Sequence, residues 1–237
     1  MSRYDGIGET YEMTGVGTRV IDESTEERLA FIRKVYSLFF ISLIFAGLGA
    51  YLGIRYQFVL WIFKHPWISL FLLVGMIFLV QGVRLVPGVN LLALFGFATL
   101  EGIYTGALIL VASYITGSFG VVWQALILTG LVFSGLTLFV FSTRKDFSMW
   151  QGFLLIGLIT IFGLGIINLF FFQSSSISIL ISGGFVLLLG GFVLVDTSLI
   201  MRKYSTTEYV AATLSLFIDF IVMFWQILRI LSALNRR

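Results

Sequence analysis

Seven stretches of about twenty apolar residues set the terms for this chain. They run Tyr36–Ile54, Trp67–Val83, Val89–Ala112, Phe119–Phe141, Trp150–Phe172, Ile177–Met201 and Tyr209–Leu231. At a rise of about 1.5 Å per residue, each is long enough for a helix to cross the ~30 Å hydrocarbon layer of a bilayer. A single spanning segment in lipid must satisfy its own backbone hydrogen bonds, which favours helix. Of the 237 residues, 59% are hydrophobic and 11% are charged, against about a quarter charged in soluble domains. The chain is therefore read as an all-α polytopic membrane protein with seven transmembrane helices. Short connections make consecutive spans antiparallel neighbours in one domain. The second span is the least sharply defined, because Lys64-His65-Pro66 interrupts the apolar run before it. Pro66 suits the first turn of a helix, where its missing N–H costs nothing.

Residues 1–27 form a polar tail with charges of both signs and no early apolar core, unlike a secretory signal. Residues 28–237 form the transmembrane domain. Ser24 with Glu27 three residues on has the spacing of a capping box, so a helix is expected to start near Ser24. With the N-terminus in the cytoplasm, five of the 15 lysines and arginines fall on the outer side: Arg55, Lys64, Arg229, Arg236 and Arg237. The other ten fall on the cytoplasmic side, as the positive-inside rule requires. Gly49 with Gly53, and Gly102 with Gly106, let helix backbones approach closely. Among 25 glycines these spacings are read as packing within the chain, not as dimer motifs.

Several chemistries lack their residues. The chain has no cysteine, so thiolate chemistry is out, and its one histidine, His65, stands beside Pro66 in an outer loop. Neither a HExxH zinc pattern nor a phosphate-binding GxxxxGK[ST] loop is present. The net charge of +3 is spread over short loops and does not form a nucleic-acid surface. No catalytic residue or resident cofactor is expected.

Three acids lie deep inside spans: Glu101, Asp196 and Asp219. An aspartate at a helix centre costs about 2.5–3.5 kcal/mol on insertion scales, and such groups usually face the bundle interior and mark an ion or proton path. Glu101 and Asp219 fall near the midplane. Asp196, six residues before Arg202, is shallower by roughly 6–8 Å. Spacing alone permits Asp196 and Asp219 to pair but does not establish it. If they meet, two carboxylates in a dry site cannot both ionise cheaply, and they titrate as one coupled unit. Loss of the shared proton would separate the helices or admit a cation. Calcium is the natural one, taking six to eight oxygens. Thr197, Ser198 and Ser215 would add hydroxyls to the acids.

Four segments carry a resemblance: "FIRKVYSLFFISLIFAGLGAYLG" (Phe31–Gly53), "FATLEGIYTGALI" (Phe97–Ile109), "STRKDFSMWQGFL" (Ser142–Leu154) and "LVDTSLIMRKYSTTEYVAATLSLFIDFIVMFWQILRIL" (Leu194–Leu231). In these the chain resembles the Bax inhibitor family, also called the transmembrane Bax inhibitor motif family, and most closely its bacterial members, from about Arg28 to the end. The resemblance implies a seven-helix bundle with the last helix central and a pH-responsive calcium leak. It places the family's aspartate pair on Asp196 and Asp219. It also implies a basic residue paired with the sixth-span aspartate, for which Arg84 is the nearest candidate. Glu101 matches an acid found in some branches of the family.

Three other functions compete, the last a proton-coupled transporter, since buried acids also serve proton relays, although no inverted repeat or substrate site is recognisable. Intramembrane aspartyl proteases also carry aspartates on two late spans, but they have a GxGD pattern where this chain has Leu216-Phe217-Ile218-Asp219. A regulatory membrane protein, a cell-death suppressor or a modulator of a membrane protease, would use the aspartates only for packing and bind a protein partner. The expected partners are otherwise the lipid bilayer, calcium ions and protons, with no nucleic acid. The expected location is a bacterial inner membrane.

Overall fold

The computed structural model describes residues 19–235. Residues 1–18, most of the expected polar tail including Arg3, and the terminal Arg236 and Arg237 lie outside the described residues.

The described chain is helical, and its only β-type pairing is an isolated bridge between Arg19 and Ser205. The helices are α1 (Thr25–Arg55), α2 (Phe58–Lys64), α3 (Pro66–Gly82), α4 (Val89–Thr116), α5 (Gly120–Thr143), α6 (Gln151–Ile167), α7 (Ser175–Arg202) and α8 (Tyr209–Leu234). Short 3-10 turns at Val20–Asp22 and Ser148–Trp150 and a π-turn at Asn168–Phe172 complete the set. Six helical segments are long and apolar enough to cross a membrane, the fourth of them running Ser148–Phe172 through α6 and its flanking turns. The pair α2–α3 makes a seventh if counted as one broken span.

Local chemistry explains the boundaries. The capping box forms at the start of α1: the Ser24 hydroxyl accepts from Glu27 N–H, and the Glu27 carboxylate accepts from Ser24 N–H. The expected second span is realised as α3, but α2 meets it at a bend of 109°. Pro66 cannot donate to the preceding turn, so α2 closes with His65 N–H on the Trp61 carbonyl and a new helix starts in another direction.

The bundle is held by close backbone contact on one side and by a buried last helix on the other. Helices α1 and α4 form the most extensive pair. A Cβ added at Gly49 would overlap the Thr99 carbonyl, and one added at Gly102 would overlap that of Ala46. The small residues thus join two helices of the same chain, as expected from their spacing. Helix α8 packs against α1, α3, α4, α5 and α7. Its Leu214, Leu216, Phe217 and Met223 are fully buried. By contrast, α6 buries only Leu154 and turns most of its surface outward.

One end of the bundle gathers the basic loops and the α7–α8 turn. There the Arg202 guanidinium donates to the Arg144 carbonyl, Lys203 Nζ donates to Ser148 Oγ at 2.7 Å, and Asn90 Nδ2 donates to Tyr209 Oη at 3.1 Å. Lys34 Nζ sits 3.3 Å above the centre of the Tyr209 ring. Residues 19–22 close over this end: Val20 N–H donates to the Tyr204 carbonyl at 3.0 Å, and the Val20 side chain is fully buried. Arg28 secures the strap by donating to the Val20 and Ile21 carbonyls.

Candidate functional site

The α7–α8 hairpin brings the two aspartates into one neighbourhood. Asp219 is buried on α8, with Oδ2 lacking any hydrogen-bond partner. It lies within electrostatic reach of Asp196 on α7. The two carboxyls form no hydrogen bond to each other, and Asp219 Oδ2 stays unpartnered. Asp196 is half-buried, and nearby on α8 the Ser215 hydroxyl donates to the Ala212 carbonyl at 3.2 Å. Ser215 occupies the α8 turn before Asp219, so one helix face presents a hydroxyl and a carboxyl to α7 in succession.

Two tyrosines that the sequence did not single out complete this polar layer. Tyr204, in the α7–α8 turn, reaches Ser215 with its hydroxyl and is within electrostatic reach of both aspartates and of Glu208. The Tyr36 hydroxyl of α1, Thr137 Oγ1 of α5 and Thr197 Oγ1 of α7 are each buried without a hydrogen-bond partner. Buried, unpartnered polar side-chain atoms thus occur on α1, α5, α7 and α8. A tyrosine near a helix end reads as an interfacial ring, and nothing in its local sequence distinguishes one that turns inward.

Arg84 stands elsewhere than expected. Its Nη2 lies 3.2 Å from Glu208 Oε1, and Nη1 donates to Gln81 Oε1. Its partner is Glu208, in place of Asp196. The reason is depth: Glu208 immediately precedes α8 at the level of the Arg84 loop, while Asp196 lies about 9 Å along α7 from Arg202.

Glu101 is also separate. It is buried on α4, where Oε2 accepts from Thr105 Oγ1 at 3.3 Å and Oε1 has no partner. Among the described residues, no group of three or more histidines or acids is placed to share a metal ion. Asp196 and Asp219, the two acids expected to meet calcium, are thus not joined by a third acid, and Glu101 stands apart on α4.

The fold and this layer define a class, an all-α polytopic membrane protein with ionisable groups buried between its last two helices. The family model described as "Inhibitor of apoptosis-promoting Bax1" matches residues 28–236, and the chain belongs to this Bax inhibitor family. Among its relatives, an uncharacterised protein of Campylobacter jejuni is 33% identical, over 90% of this chain and 92% of its own length. Mouse protein lifeguard 4 is 31% identical, over 93% and 92%. Bax inhibitor 1 of Schizosaccharomyces pombe is 32% identical, over 92% and 82%.

Proposed function

We propose that this protein is a pH-sensitive leak for calcium and similar cations, with Asp196 and Asp219 as its proton-sensing latch. The observation that carries this is the burial of Asp219, with Oδ2 unpartnered, on a helix packed against α7, which carries Asp196. Among the described residues, no lysine, arginine or histidine forms an ion pair with either carboxyl. When the two carboxyls share a proton, α7 and α8 are held together. When the proton leaves, like charges in a dry site drive the helices apart or draw in a cation. The central position of α8 couples that movement to α1, α4 and α5.

The same proposal takes α2–α3 as one broken span, giving seven, with the N-terminus in the cytoplasm and the protein in a bacterial inner membrane. The excess of lysine and arginine at the end holding Arg28, Arg84, Arg144 and Arg202 supports this orientation. No catalytic role is assigned. Helix α8 runs unbroken through Asp219, between the packed side chains of Phe217 and Phe220, with no glycine to admit a substrate backbone.

Calcium flux into dye-loaded liposomes carrying the purified protein tests the leak. Flux above that of empty liposomes is expected, and its absence from folded protein would refute the leak. A regulatory role is the second proposal, favoured by the names of the family and of the yeast relative, which describe inhibition of Bax. It is the reading to adopt if folded protein carries no flux and a membrane protein co-purifies with it.

A further inference from the structure

The Glu101 carboxyl is the end of a directed chain of hydrogen bonds that starts at a cavity. Trp225 Nε1 donates to Thr105 Oγ1 at 2.9 Å, and Thr105 Oγ1 donates to Glu101 Oε2 at 3.3 Å. An indole N–H can only donate, so the direction is set by Trp225, and Glu101 Oε1 is left free and buried. Trp225 also lines a cavity of about 500 Å³ between α4, α7 and α8. The cavity lies toward the end of the bundle away from the basic loops. Its polar lining includes Ser175, Ser178, Gln226, Arg229 and Ser232.

No charged partner offsets Glu101. At its level α1 presents Ala46 against the adjoining Gly102, and the nearest ionisable side chains on α1 are Tyr51 and, one turn beyond it at the helix end, Arg55, with Tyr36 farther off. Helices α3 and α5 contain no acid, base or tyrosine, and α2 contributes only Lys64 at its end. On α4 itself, the Tyr104 hydroxyl donates to the Ser69 carbonyl, and Tyr114 is exposed. On α8 stand Asp219, nearly two turns before Trp225, and Arg229, about one turn after it. A lone carboxyl in this setting is neutral or holds a cation.

We propose that Glu101 is a proton-binding site that exchanges with the cavity, and that the Trp225 ring is the gate between them. The indole cannot relay a proton, because it has no acceptor. Exchange therefore requires the ring to leave Thr105 and admit water from the cavity. The proton then binds Glu101 Oε1, the oxygen with no partner. This site is independent of the aspartate latch and stands whether or not the protein leaks calcium.

The test uses the full-length protein in lipid nanodiscs with Trp61, Trp67, Trp123 and Trp150 replaced by phenylalanine, leaving Trp225 as the only indole. Its emission is followed from about pH 5 to about pH 9, the range reached by buried carboxyls. A single transition is expected, lost in Glu101→Gln and kept in Asp219→Asn. Thr105→Val separates sensing from folding: it should abolish the emission transition while the infrared band of the protonated Glu101 carboxyl, assigned by its absence in Glu101→Gln, persists. Trp225→Ala should speed deuterium exchange of that band. A flat emission profile, a transition that survives Glu101→Gln or one that vanishes in Asp219→Asn would overturn the site. An unchanged exchange rate in Trp225→Ala would overturn the gate.

Discussion

Arg84 Nη2 lies 3.2 Å from Glu208 Oε1, joining the loop after α3 to the residue that caps the start of α8. The side chains are 41% and 26% exposed, so water and salt screen the pair. Glu208→Gln should therefore lower stability by no more than about 1 kcal/mol. Thermal unfolding in detergent at low and high salt checks this, and high salt should erase the difference between variant and parent.

Gly102 leaves no room for a side chain, because the Ala46 carbonyl of α1 occupies the space. Gly102→Ala forces α1 and α4 apart and should cost about 1–3 kcal/mol, the range for overpacked cores. Gly130, with nothing near its Cβ position, is the control. Gly130→Ala should be neutral or slightly stabilising, since alanine favours helix. Unfolding midpoints of the two variants make the comparison.

Asp146 lies in the loop after α5, outside the spans. The Ser148 side chain and backbone N–H hold its carboxyl below the usual aspartate value of 3.8, with smaller help from Lys203 and Arg202. A depressed carboxyl stabilises the fold above its unfolded value and loses that contribution as pH falls through the folded value. Asp146→Asn should thus be less stable than the parent at neutral pH, and the gap should close as pH drops below 3.8. Unfolding midpoints across that range measure the gap.

Val20 is buried beneath the strap that crosses the α7–α8 turn. Val20→Asp would bury an unpaired carboxylate, which costs more than the strap's few hydrogen bonds supply. Residues 19–22 should detach while the helices stay folded. Limited proteolysis near Arg19 should accelerate in the variant, with cleavage elsewhere unchanged.

Much of the architecture was legible because lipid imposes length and polarity together. The runs at Val89–Ala112 and Tyr209–Leu231 predicted α4 and α8 to within a few residues at their ends. The Ser24–Glu27 cap and the Gly49 and Gly102 contacts were also readable, since each rests on local spacing. The 109° bend at His65 was not, because a proline marks a break without setting the angle. Hydropathy carries no record of how helices rotate or which loops meet. Arg84 with Glu208, and Thr105 with Trp225, join residues more than a hundred positions apart. Both depend on that missing information.

The central claim is that Asp196 and Asp219 sense protons as one unit and set the leak. Its most direct test is the pH profile of calcium flux from about pH 8 to about pH 6, compared among the parent, Asp196→Asn, Asp219→Asn and the double variant. Both single variants should shift or flatten the profile, and the double variant should add little to either, because one partner suffices to break a shared titration. A folded Asp219→Asn protein with the parent's profile would contradict the account.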